Sequence, residues 1–199
     1  MTVNSKKKSI IISETLLTEL LTKKNLRGEY SSYSSVYLGN NWVKKLSKDG
    51  KYPESELAQY KLMSEHPDFF PTTIIRNTKS GLVILQKKLN IAMAKRIWED
   101  VQYEYNMFNQ YTYYNFRSFL EDLAERGANN TIKNIQKVML QNMNTNALKR
   151  FNEYFELSLH LYELRKKNPD VYKYEVDLHD GNYGVDHNGN IKIIDFIVD

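Results

Sequence analysis

Three polar side chains with complementary chemistry stand close together in VDLHDGNYGVDHNGNIKIIDF, residues Val176 to Phe196. Asp177 precedes Asn182 with Gly181 allowing a tight turn between them, and Asp195 follows a second turn at Asp186-His187-Asn188-Gly189-Asn190. A carboxylate and an amide oxygen at the two ends of a hairpin suit one hard divalent cation. Magnesium takes a few protein oxygens and completes its shell with water and phosphate. A further carboxylate outside that shell can orient a hydroxyl and accept its proton. These are the parts of phosphoryl transfer, where positioning and charge neutralisation supply most of the catalysis. The second turn lacks the glycine placement and the closing glutamate of a calcium loop, and reads as a hairpin connection. His179 reads as a packing or hydrogen-bonding residue that supports the first loop.

The elements that would position these groups follow from periodicity. Ser13-Glu14 ahead of Leu16, Leu17, Leu20 and Leu21 gives a helix start and one apolar stripe. From Gly28 the pattern is extended. Ser35 to Leu38 and Trp42 to Leu46 flank Gly39-Asn40-Asn41 as a hairpin. A helix is expected over Glu54 to Glu65, then a strand pair at Thr72 to Ile75 and Leu82 to Leu85. From Asn90 the period is helical. Runs begin at Asn115 (ending at Gly127), at Thr131, and around Leu148 (ending at Lys166-Lys167-Asn168-Pro169). Extended structure returns only at Tyr183 to Val185 and Ile191 to Ile194. A sheet with one helix, then helices, then a late hairpin points to an α+β class in two lobes. The divisions are a basic tail and helix (1–27), a small sheet unit (28–89) and a helical unit carrying the hairpin (90–199).

Composition narrows the function classes. The 199-residue chain is 41% hydrophobic and 26% charged, carries fifteen tyrosines and has a net charge of +4. Much of the excess is the short run Lys6-Lys7-Lys8, and no long basic stripe with interleaved aromatics exists, so nucleic acid is not an expected partner. The absence of cysteine excludes disulfides, thiolate metal sites and cysteine nucleophiles. No apolar run approaches the ~18–20 residues that cross a bilayer, and no signal-peptide core opens the chain. The expectation is a cytoplasmic protein without a membrane role. The aromatic stretch Tyr103, Tyr105, Phe108, Tyr111, Tyr113, Tyr114 and Phe116 reads as core packing, with a partner-binding patch as the sharper alternative.

Asp177-Leu178-His179-Asp180-Gly181-Asn182 followed by Ile193-Ile194-Asp195-Phe196 resembles the catalytic loop and metal-binding motif of the protein-kinase-like superfamily. It is most similar to the form found in bacterial and phage kinases and aminoglycoside-type phosphotransferases. The resemblance extends over residues 28–196 and is sparse in the helical middle. It implies a minimal bilobal kinase-like fold using ATP and Mg2+, with Asp177 as catalytic base and Asn182 and Asp195 holding the metal. Val43-Lys44-Lys45-Leu46 resembles the strand that carries the nucleotide-anchoring lysine, which makes Lys45 the anchor and Lys44 the alternative. Strand alternation then turns Val43 toward the adenine and Trp42 outward. Glu56, with Glu54 second, is the implied ion-pair partner. Ser31 and Ser34 stand where the family's phosphate-loop glycines sit, with Val36 following them. Gln86 and Lys87 fall at the implied hinge beside the nucleotide.

The family's histidine two residues before the catalytic aspartate is Glu175 here, and the glycine after Asp-Phe is Ile197. The sequence stops three residues after Phe196. The acceptor surface is therefore expected on the helices between Asn90 and Asn168, or on a partner. The resemblance implies a kinase acting on serine or threonine of a protein, with a small-molecule hydroxyl next. The alternatives are a kinase-fold protein that binds a partner without catalysis, and transfer of AMP.

Overall fold

The computed structural model describes residues 27–30, 34–38, 41–47, 51–79, 81–109 and 115–198, and for 27–38 it describes the backbone alone. The expected basic tail and helix before Arg27, Ser31, the turn residues Gly39 and Asn40, and Tyr111, Tyr113 and Tyr114 lie outside the described residues.

The chain is a mixed α+β protein. Strands β1 (Arg27–Tyr30), β2 (Ser34–Leu38), β3 (Trp42–Ser47), β4 (Thr73–Thr78) and β5 (Gly81–Lys87) form an antiparallel sheet in the order β1-β2-β3-β5-β4. Helix α1 (Glu54–Glu65) is inserted between β3 and β4. Helices α2 (Ile91–Phe108), α3 (Phe116–Arg126), α4 (Asn130–Asn142), α5 (Thr145–Lys167) and the short α6 (Pro169–Tyr172) follow. A 3-10 turn at Asp180–Asn182 then leads into the hairpin of β6 (Tyr183–Val185) and β7 (Ile191–Ile193). Among the described residues no helix is long and apolar enough to cross a membrane.

Asparagine side chains start four successive helices by accepting a backbone N–H of the first turn. Asn90 accepts from Met93 (2.9 Å), Asn115 from Ser118 (2.8 Å), Asn129 from Ile132 (2.9 Å) and Asn144 from Ala147 (3.0 Å). Each cap satisfies a donor that the helix itself cannot, worth about 1 kcal/mol. Helix α3 ends at Gly127, whose φ of 74° favours glycine.

The core is aromatic. Phe116 and Phe119 of α3 pack on Phe151 of α5 and Tyr105 of α2, and all four are buried. The tyrosine-rich stretch therefore divides. Tyr105 and Phe116 are core and Phe108 is half-buried against it, while Tyr103 is exposed. The same cluster reaches the hairpin, because Tyr183 packs on Trp98 (5.4 Å) and edge-on against Tyr154 (4.9 Å).

The sheet and the helices are locked together by the hairpin. Asn90 and Val185 exchange both backbone hydrogen bonds, which fixes the segment after β5 onto β6. Gly184 permits this closeness, since a Cβ there would lie 2.5 Å from Leu89 Cβ. On the other strand, the Ile193 N–H donates to Phe69 C=O and Lys192 Nζ donates to Pro67 C=O (2.7 Å). Gln59 of α1 is buried, and its Oε1 accepts from the backbone N–H groups of both Phe196 (2.9 Å) and Ile197 (3.0 Å). Phe196 is itself buried and stacks on Phe70. Replacing Gln59 by leucine keeps the bulk but removes the acceptor for Ile197 and weakens that for Phe196, and a buried orphaned donor costs about 1–3 kcal/mol. Gln59→Leu is thus expected to lower the denaturant midpoint without changing the slope, and an unchanged midpoint would contradict this role.

Candidate functional site

Each of the three polar residues in the C-terminal segment is followed by a side chain with no solvent exposure: Asp177 by Leu178, Asn182 by Tyr183, and Asp195 by Phe196. The apolar neighbours are sunk in the core, which holds the polar ones at its surface in fixed orientation. The backbone then brings the three together. The Asp177 N–H donates to Phe196 C=O, Val176 bridges Ile197, and the Ile194 N–H donates to Asn182 C=O (2.8 Å). Asp177 and Asn182 therefore lie on the two chains that flank the Ile194–Phe196 segment.

The side chains add a second layer. Asn182 Nδ2 donates to the Asp177 backbone carbonyl (3.0 Å), which leaves Oδ1 as the amide's acceptor. Asp195 Oδ1 accepts from the N–H of Phe196 (2.9 Å), which leaves Oδ2. His179 caps the 3-10 turn by accepting the Gly181 N–H on Nδ1 (3.0 Å), and its Nε2 lies 3.8 Å from Asp177 Oδ2. It supports the loop, as its isolation in the sequence implied. The Asp186 to Asn190 segment is a side-chain-braced turn, with Asp186 Oδ1 accepting the N–H groups of Asn188 and Asn190.

Strand β3 brings Lys45 within electrostatic reach of Asp195. Lys45 pairs in register with Val36 on β2 and Ile84 on β5. Its ammonium donates to the Tyr60 hydroxyl (2.8 Å) and sits over the ring, 4.7 Å from the centroid. Burial lowers the Lys45 pKa, and the carboxylates of Asp195 and Glu56 oppose that shift. Tyr60 is pushed far above the ordinary tyrosine range, by burial first and then by Glu56 and Asp195. It is a neutral hydroxyl that accepts from the lysine and feels the charge of both acids. Lys44 points to the other face, where it is buried beside Trp42, Val83 and Leu85, and burial also lowers its pKa. Of the two adjacent lysines, Lys45 is the one on the face toward Glu56 and Asp195.

The other expected positions lie as follows. Trp42 lies on the face away from Lys45 but is buried in a small cluster of its own. The Glu56 carboxylate raises the Lys45 pKa, and the Lys45 ammonium also donates to Tyr60. Glu54 is instead bonded to Lys173 (2.8 Å) at the surface. Gln86 is buried, with Nε2 donating to Met63 Sδ (3.4 Å) and Thr73 Oγ1 (3.3 Å), so its side chain is part of the core. Lys87 places its ammonium over Trp42 and lines a cleft of about 550 Å3 with Asp186 and Lys192. Ser34 and Val36 lie on β2, with Val43 on the neighbouring strand. Among the described residues no three His, Asp or Glu side chains form a metal-binding group; the expected pair is one carboxylate and one amide. A larger cleft, about 600 Å3, is lined by Tyr103, Glu104, Asn144 and Arg150 and belongs to α2 and α5.

Helix α3 contributes residues that the motif did not identify. Glu121 and Glu125 accept the N–H groups of Leu178 (3.1 Å) and Val176 (3.2 Å), and Arg117 Nη2 donates to Asp177 Oδ1 (3.1 Å). Their four-residue spacing aligns all three on one face of the helix. That spacing is visible in the sequence; its target, sixty residues downstream, is not.

No known family model matches the chain, and no curated protein is significantly similar to it in sequence.

The electrostatics set a pH test. Glu56→Gln removes an anion that raises the Lys45 pKa, so the ammonium is lost at lower pH than in the parent. The alkaline limb of the Lys45 titration, read by NMR of its side-chain ammonium across pH, is expected to move downward. An unchanged or upward-moving limb would contradict the coupling.

Proposed function

We propose that the chain is an ATP- and magnesium-dependent phosphotransferase of bilobal, kinase-like organisation that phosphorylates serine or threonine on a protein. The observation that carries this reading is that Asp195 lies near enough to Lys45 for its charge to raise the lysine pKa. A lysine from the sheet stands in the field of a carboxylate from the hairpin, and that hairpin's backbone also carries Asn182 and pairs with Asp177.

The chemistry follows from these positions. Lys45 supplies positive charge to the nucleotide phosphates. Asn182 Oδ1 and Asp195 Oδ2 are the two hard oxygens that fit a magnesium ion, which when bound neutralises phosphate charge. Asp177 orients the acceptor hydroxyl and takes its proton as the oxygen bonds to the terminal phosphorus. The bond to the bridging oxygen breaks and ADP leaves. With no covalent intermediate to form, rate comes from alignment and charge stabilisation.

A second reading is a kinase-like protein that works by binding a partner. It is favoured by the Lys87 and Lys88 N–H groups, which donate to Thr72 and Asn41 carbonyls and so are not spare donors for a purine. Incubation with γ-labelled ATP, magnesium and cell lysate separates the two. Label on protein serine or threonine is expected, falling at least a hundredfold in Asp177→Ala and Asp195→Ala, in the range set by loss of a catalytic proton acceptor. Thermal stabilisation by ATP and magnesium without label transfer would favour the second reading. Transfer that survives both substitutions would refute the residue assignment.

A further inference from the structure

We propose that Arg117 selects the acceptor: it favours a hydroxyl whose immediate neighbour carries a carboxylate or phosphate. The inference rests on Asp177 being the proton acceptor in the proposed phosphotransfer.

Asp177 is held between two edges. Its own N–H donates to Phe196 on the hairpin side, while the N–H groups of Val176 and Leu178 donate to α3 on the other. Asn182 and Asp195 are on the hairpin side, so the phosphates and cation belong there. The α3 side is left for the acceptor, where Arg117 stands on the same face as Glu121 and Glu125 and contacts the Asp177 carboxylate. Its Nη2 donates to Asp177 Oδ1 (3.1 Å) and its Nε donates to Glu121 Oε1 (2.7 Å). Of the five N–H groups that a guanidinium carries, these two are engaged, and the others have no partner among the described residues.

Glu121 fixes the fork, and half of the arginine side chain is open to solvent. An ion pair this exposed contributes little, so an incoming acceptor can share or displace it. Asp180, the next carboxylate on the loop, is paired with Lys95 (3.3 Å). A hydroxyl that reaches Asp177 brings its adjacent group to the spare guanidinium donors. Planar paired N–H groups match carboxylate and phosphate oxygens. A basic neighbour would meet the arginine with like charge. Arg117 exchanges no atoms or electrons in the step.

The test uses the full chain with labelled ATP and serine peptides that differ only beside the serine: aspartate, phosphoserine, alanine or lysine. The parent protein is expected to favour the anionic neighbours over lysine by about tenfold or more in kcat/KM, the scale of one charge-assisted hydrogen bond. Arg117→Gln should erase most of that ratio, and Arg117→Lys should restore part of it. Comparison of aspartate with phosphoserine tells which anion fits. A parent that prefers alanine or lysine, or a preference that survives Arg117→Gln, overturns the proposal. Independently of turnover, free phosphoserine should shift the Arg117 Nε–H resonance saturably, and no shift also overturns it. A shift without label on any peptide would retire the phosphotransfer reading and the acceptor role with it, leaving an anion site alone.

Discussion

Burial of Phe196 fixes the backbone from which Asp195 projects. The ring stacks on Phe70, and the peptide N–H groups on either side of its carbonyl end at Gln59 of α1. Burying one such ring contributes roughly 1.5–3 kcal/mol, yet its larger consequence is geometric. With Phe196 seated, Asp195 is held where its charge reaches Lys45. The Phe196 carbonyl is then in place to receive the Asp177 N–H. A single apolar anchor thus sets the positions of two carboxylates that arrive from different stretches of chain.

Helix α3 performs the complementary task from the opposite side. Arg117, Glu121 and Glu125 form a stripe whose charges meet the loop backbone at Val176 and Leu178 and the side chain at Asp177. Its other face buries Phe116, Phe119, Leu120 and Leu123. One helix therefore carries aromatic packing on one side and polar positioning on the other. Rigid support of this kind lets a loop hold reactive groups without reorganising when charge develops.

Much of the architecture was legible in the sequence because its signals are local. Asn115 and Gly127 bound α3 at both ends, His66-Pro67 closes α1, and the Asp186 to Asn190 turn divides the last two strands. The alternation of a polar residue with a buried one at Asp177-Leu178, Asn182-Tyr183 and Asp195-Phe196 is also readable from the chain alone. The choice between Lys44 and Lys45 was not, because adjacent lysines satisfy either strand register until β5 supplies a partner for each. Tyr60, Gln59 and Arg117 were invisible for a related reason. Each is an ordinary helix residue by periodicity, and its role depends on a chain segment about 60 or more residues away, or on the opposite strand, brought near only by packing. Gln86 shows the converse: the resemblance implies a place at a hinge, and its side-chain contacts with Met63 and Thr73 are legible only from the packing.

The proposed phosphotransfer requires Lys45, Asn182, Asp177 and Asp195 to face one nucleotide and one cation. Paramagnetic broadening in an NMR spectrum, with manganese in place of magnesium and ATP added, reads that directly. The Asn182 side-chain amide and the Phe196 backbone amide are expected to broaden first, and to do so only when ATP accompanies the metal. Broadening confined to other parts of the chain, or indifferent to ATP, would contradict it.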